Sequence, residues 1–310
     1  MPTAAVQPIR QLTRLRAEFS IAFARLTGKL FGGRLPHGID YGAVARVCLP
    51  DWTRDGAIAT PTTTACGISA YRLSESLGLS AETVRRHTHL LARRGILTAT
   101  RGGVALSTSD VGSQIALRYY RAAHDGFLRL IEDVGATCDL DLPTDMPLTA
   151  GRSDILKHAI DTLLLPIDTF RPTEISPTAH LLWASFALVA GRRVTHDPDL
   201  ARRYGDDLPP DALCDGISLR RVAAGVGVAY TSAWRHMADL VDRDLVTRLD
   251  GDRWTVLRNN RRGEMWDIGA APTRLMLGKL RELARMGVTP DRVASLYIDG
   301  RPPQIDFATA

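Results

Sequence analysis

Residues 67–106 read GISAYRLSESLGLSAETVRRHTHLLARRGILTATRGGVAL, and their pattern decides the fold. Leu73 and Leu77 stand four apart, the spacing of one face of a short helix. Gly78, Leu79 and Ser80 supply a turn, and Ser80 has the oxygen that caps a following helix. That second helix directs Val84, Thr88 and Leu91 inward, which leaves Ala81, Glu82, Thr83, Arg85, Arg86 and His89 facing out. Gly95 ends it. Ile96, Leu97 and Thr98 then open a strand, Arg101, Gly102 and Gly103 reverse it, and Val104, Ala105 and Leu106 return. Helix, turn, helix and hairpin in that order form a much narrower signal than any one of them.

The same text recurs 149 residues later. Laid without a gap on residues 216–247, residues 67–98 give ten identities in 32 positions, among them Gly78/Gly227, Arg86/Arg235, His87/His236 and Leu91/Leu240. Apolar character is also kept at Leu73/Val222, Leu77/Val226, Leu79/Val228 and Ile96/Leu245. The second copy continues into its own hairpin through Asp250, Gly251 and Asp252, with Arg253 on the return. An internal repeat of this length makes the chain two variations on one plan. The division it predicts is a first unit over 1–138, a linker over 139–150 with three aspartates, Pro143 and Pro147, and a second unit over 151–310.

The flanks fill in that plan. Ile9, Leu12, Leu15, Phe19, Phe23, Leu26 and Leu30 predict one long helix before Gly32 and Gly33, and a shorter one follows at 41–49. Residues 50–66 read as loop, and residues 1–8 as a loose arm. Residues 110–134 predict a long helix closed by Gly135. In the second unit, residues 154–165 predict a helix ended by Pro166, and residues 180–190 another. Residues 191–215 read as loop, residues 273–286 as the terminal helix, and 292–297 as a short helical possibility in the tail.

Composition narrows the function classes. A length of 310 residues suits about two ordinary domains. The net charge of +5 is carried almost wholly by arginine, since Lys29, Lys157 and Lys279 are the only lysines. Arginine suits bidentate contacts to phosphate and guanine, although a GC-rich genome biases composition the same way. Cys48, Cys66, Cys138 and Cys214 have neither zinc-ligand nor paired spacing, so no metal, cofactor or disulfide frame is expected and a reducing cytoplasm fits. No signal segment opens the chain, and the longest apolar run, 181–190, is about half a bilayer span, so no membrane association is expected. No phosphate-binding glycine loop or GxSxG motif is present, and no enzyme is expected.

Residues 67–106 and 216–257 resemble the winged helix-turn-helix transcription regulators, and the multiple-antibiotic-resistance regulator (MarR) type in particular. The resemblance implies a mainly α fold with small β-hairpin wings (α+β), with the wing regions at 67–107 and 216–257. It also implies that flanking helices of the two repeats interlock, here as a pseudo-dimer within one chain, and that the partner is double-stranded DNA. In such proteins the second helix of the motif enters the major groove.

On that reading Arg85 or Arg86 grips a guanine, Thr83 meets a thymine methyl or a phosphate, and Arg101 with Arg93 and Arg94 meets phosphate or the minor groove; Arg93 and Arg94 equally suit a solvated helix end favoured by the dipole. His87 and His236 pack inward or bond phosphate. The second repeat offers Tyr230, Thr231, Ser232, Trp234, Arg235 and Arg253. From first glycine through hairpin, the first copy has six arginines against two glutamates and the second has six arginines against five aspartates, so the first is expected to dominate DNA binding. Arg258, Arg261 and Arg262 partly restore positive charge behind the second hairpin. Trp234 is open to three readings: a DNA contact, a protein contact or an inward packing residue. The expectation is a sequence-specific, nucleoid-associated regulator of bacterial type. The alternatives are an interaction module of replication or chromosome machinery, or a division of labour in which the second repeat meets RNA polymerase or another regulator. A homodimer is open too, because the first helix carries an apolar seam.

Overall fold

The helical spacing from Ile9 to Leu30 produces α1 (Ile9–Leu30), which stops at Gly32 and Gly33, both at positive φ. The computed structural model describes residues 8–54, 57–61, 66–205, 207–256 and 264–307. The arm at 1–7, the threonines at 62–64 and Arg258, Arg261 and Arg262 lie outside them. α2 (Leu35–Cys48) begins six residues before the expected start, because Pro36 sits in its first turn, where a missing N–H costs nothing. The expected loop after it contains a short hairpin, β1 (Thr53–Arg54) with β2 (Ala57–Ile58). Then come α3 (Ala70–Leu77), α4 (Ala81–Arg93), the antiparallel pair β3 (Leu97–Thr100) and β4 (Gly103–Leu106), and α5 (Asp110–Thr137).

The second half runs α6 (Arg152–Phe170), α7 (Pro177–His196), α8 (Pro198–Arg203), β5 (Ile217–Ser218), α9 (Leu219–Val226), α10 (Tyr230–Asp242), β6 (Val246–Arg248), β7 (Arg253–Val256) and α11 (Glu264–Arg285). β5 and β6 both pair antiparallel with β7. The chain is therefore mainly helical with small antiparallel sheets. None of the described helices is long and apolar enough to cross a membrane.

Several boundaries differ from the local reading, for physical reasons. Gly135 does not close α5; it lies inside the helix and leaves room for Pro290, whose ring sits where a Cβ would be. α6 passes through Pro166 to Phe170, and α11 passes through Pro272. An interior proline costs a helix about 3 kcal/mol, which tertiary packing must offset. The stretch 191–215 is not all loop: it holds the end of α7 and all of α8, whose cap is Asp197 accepting from the backbone of Asp199 and Leu200 at 3.0 Å.

Two apolar cores organise these elements, and they cut across the expected division at 139–150. The first joins Leu12, Tyr41, Trp52, Leu91 and Phe127 to Ile155 and Ile160 of α6 and to Met276 and Leu280 of α11. The second gathers Phe186, Val222, Met237, Leu240 and Val256 with Ile21 of α1 and Ile305 and Phe307 of the tail. Residues 139–150 are not a free tether either, since the N–H groups of Thr149 and Ala150 both donate to the Met286 carbonyl, at 2.9 and 3.2 Å.

Contacts between the halves come in matched pairs. α1 packs on α7 and α6 packs on α2; α11 packs on α1 and α6 packs on α5. Gly28 of α1 rests against Gly227, the turn after α9. Correspondingly Arg171, just past α6, donates to the Ser76 carbonyl at 2.9 Å and covers Gly78, the turn after α3. Asp161 of α6 ties Arg46 of α2 at 2.6 Å to Lys279 of α11 at 3.2 Å.

The tail adds a strap that the sequence did not announce. Its backbone N–H groups at Ile298 and Asp299 donate to Asp125 of α5 at 2.9 and 2.8 Å, and Arg301 pairs with Glu132 and Asp133. Ile305 and Phe307 then enter the second core, with the Phe307 ring against Gly225 of α9. Phe307→Ala is expected to cost about 3 kcal/mol, the scale for emptying a buried phenyl site, read as a lower midpoint in urea unfolding.

Candidate nucleic-acid interface

α3 and α4 are set by short-range chemistry. Ser69 and Ser80 accept the backbone N–H groups of Arg72 and Thr83 at 3.2 and 3.1 Å, and Gly78 turns the chain between them at φ 64°. The second copy repeats this with Ser218 capping α9 and Gly227 at φ 71°. It differs at the start of α10, where Ala229 stands in place of a capping serine and makes no side-chain bond. After α10, Asp244 takes the left-handed conformation at φ 52° that Gly95 takes after α4 at φ 69°.

The inward faces are buried in both copies: Val84, Thr88 and Leu91 in α4, and Ala233, Met237 and Leu240 in α10. On the outer face of α4, Ala81, Glu82, Arg85, Arg86 and His89 are exposed, and Thr83 is half-buried with its hydroxyl accepting from Ser80 at 2.8 Å. Arg85 is not free, because Glu82 holds its guanidinium through two bonds of 2.9 and 3.0 Å. Both side chains are more than 70% exposed, 73% and 72%, so the pair adds little to stability. Arg86 has no ion pair or hydrogen bond among the described residues. Arg101 at the tip of the β3–β4 hairpin is also exposed, as are Arg93 and Arg94 at the end of α4.

The matched histidines fasten each outer helix to an earlier helix of its own half, α2 for His87 and the start of α7 for His236. His87 Nδ1 lies 2.6 Å from Asp40 Oδ2 of α2, and the His37 ring stands edge-on to it at 4.8 Å. Asp40 is fully buried, and burial pushes its carboxyl up to about 6 against the pull of His87. Burial, and then the charges of His87, Arg34, Arg94 and Arg86, push His37 down to about 4. In the second copy His236 Nδ1 lies 3.1 Å from Ser176 Oγ, the residue that caps α7, and burial lowers its pKa. These imidazoles are packing groups.

On α10, Tyr230, Thr231, Trp234 and Arg235 are exposed and Ser232 is half-buried. Trp234 is 54% exposed, which settles that it does not pack inward. Arg253 is exposed beside Asp250 and Asp252 in the hairpin. Asp239, in the third turn of α10, pairs with Arg243 at 2.8 Å. Among the described residues no three His, Cys, Asp or Glu side chains gather where a metal ion would sit.

The sequence reading missed Asp40, Ser176 and Arg16. A lone aspartate inside the apolar stretch at 39–45 was the available signal for the first; Ser176 before Pro177 was the signal for the second. Arg16 is buried in α1 and donates to Thr273 Oγ1 at 3.1 Å and the Gly269 carbonyl at 3.4 Å; burial lowers its pKa to about 10. It borders a cavity of about 300 Å³ between α1, α2, α6 and α7. No family model, curated protein or solved structure matches the chain.

Proposed function

We propose that this chain is a sequence-specific DNA-binding transcription regulator of bacterial type, built from two winged helix-turn-helix repeats, with the first repeat supplying most duplex contacts. The observation that carries the reading is the outer face of α4: a helix held from behind by His87 and Asp40, presenting an exposed Arg86 with no ion pair or hydrogen bond among the described residues, beside a hairpin that carries Arg101 at its tip. A helix of this kind fits the major groove, where a guanidinium forms two bonds to guanine, while the hairpin meets the backbone.

The matched contacts between the halves support a pseudo-dimer. When α1 meets α7 and α6 meets α2, and each half reaches the glycine turn of the other, the interface is self-complementary, as between two copies related by a two-fold axis. The reading places the protein on the nucleoid of the cytoplasm, without catalysis, with double-stranded DNA as its partner. The test is fluorescence anisotropy of labelled genomic duplexes selected by the protein. Affinity is expected to fall steeply as salt rises, with a log–log slope of about −0.9 for each phosphate neutralised. Affinity that does not change with salt overturns the reading.

A further inference from the structure

The second outer helix carries a different surface from the first. Where α4 has Ala81 and Arg85, α10 has Tyr230 and Trp234, one helical turn apart and 42% and 54% exposed. Their ring centroids are 6.4 Å apart with 35° between the planes. The guanidinium carbon of Arg220, from α9, lies 5.3 Å from the centre of the Tyr230 ring, so cation and rings form one continuous face. Arg221 and Arg235 are exposed alongside. The first two turns of α10 hold no carboxylate, and the hairpin turn beyond it holds exposed Asp250 and Asp252.

We propose that this face binds unpaired nucleotides, stacking bases on Tyr230 and Trp234 while Arg220, Arg221 and Arg235 meet the phosphates. Large exposed rings flanked by arginine suit this ligand, because every base has a π-face and the strand carries one charge per nucleotide. A duplex suits the face less well. Seating α10 in a major groove brings the β6–β7 hairpin toward the backbone, and its two aspartates repel phosphate there. A single strand can lie along α10 without reaching the hairpin. This inference deepens the DNA-binding reading: the first repeat holds duplex and the second holds a strand that has come away from its complement.

The experiment uses the full chain and three labelled probes: oligothymidylate of about twelve nucleotides, an abasic strand of equal length and charge, and a blunt-ended, loop-free duplex carrying a selected genomic site. Oligothymidylate is expected to bind more tightly than the abasic strand. Trp234→Ala is expected to weaken oligothymidylate about tenfold, the scale of one lost stacking contact, and Trp234→Phe to keep most of the affinity. Arg86→Ala should leave that probe unaffected. Equal binding of abasic and thymidine strands, or oligothymidylate affinity unchanged in Trp234→Ala, overturns the inference and makes the rings a docking surface for protein. The two proposals fail separately. Duplex binding without strand binding removes this inference alone, and strand binding lost with Trp234 but no duplex binding removes the regulator reading alone.

Discussion

Arg86→Ala combined with Arg101→Ala is expected to lower duplex affinity by roughly two orders of magnitude and to leave the melting temperature where it was. Loss of a bidentate guanine contact costs about 1–3 kcal/mol of discrimination, and loss of a backbone contact weakens all sequences and lowers the salt slope by about one. Neither side chain has a partner within the described protein, so folding does not depend on them. Arg85→Ala is expected to cost less, because Glu82 already occupies the Nε–Nη2 edge of that guanidinium. Arg86→Lys should restore binding only in part, since an ammonium lacks the planar fork that fits the guanine edge. Anisotropy titration and a thermal melt on the same samples decide the matter: unchanged affinity in the double variant removes α4 as the reading helix.

Asp40→Ala is expected to cost on the order of 3 kcal/mol at neutral pH and to weaken duplex binding as well. The change removes a fully buried carboxyl that His87 meets at 2.6 Å, leaving the imidazole under α4 without its acceptor. Asp40→Asn separates charge from shape. With the Asp40 carboxyl raised to about 6, the native state holds a proton between about pH 4 and 6 that the unfolded chain has released. Its stabilising contribution therefore falls as pH rises through about 6. His37, lowered to about 4, acts in the opposite sense, because acid offers the unfolded chain a proton that the native state refuses. The asparagine variant lacks the first slope and keeps the second, so its stability deficit against the parent should shrink from pH 4 to pH 7. Urea midpoints that show a constant or growing deficit refute a buried, titrating Asp40.

The helix, turn, helix and hairpin elements were legible because short-range rules fix them. Ser80 and Gly78 bound α4 and α3 by bonds and backbone freedom that reach no further than four residues. Val84, Thr88 and Leu91 are buried as their spacing required. The matching copy could be placed even at Ala229, where the cap is missing, because the repeat carried the register. What stayed hidden lies in long-range packing. Nothing near Pro166 tells that α6 continues, since the compensation comes from elements remote in sequence. Nothing local to the tail tells that Phe307 completes the second core, or that α11 belongs to the first. On the outer faces of α4 and α10, residue type gave the exposed arginines, but only coordinates revealed that Arg85 is paired with Glu82 and that Trp234 points away from the body.

The sharing of α6 and α11 with the first core sets the order in which the protein can be made. When the ribosome has delivered residue 138, the segment that looks like a finished unit still lacks the side chains of Ile155, Ile160, Met276 and Leu280 that line its interior. The nascent chain exposes that apolar surface until α11 has emerged, so a fragment ending at residue 138 is expected to be less stable than the same residues within the full chain, read by urea unfolding.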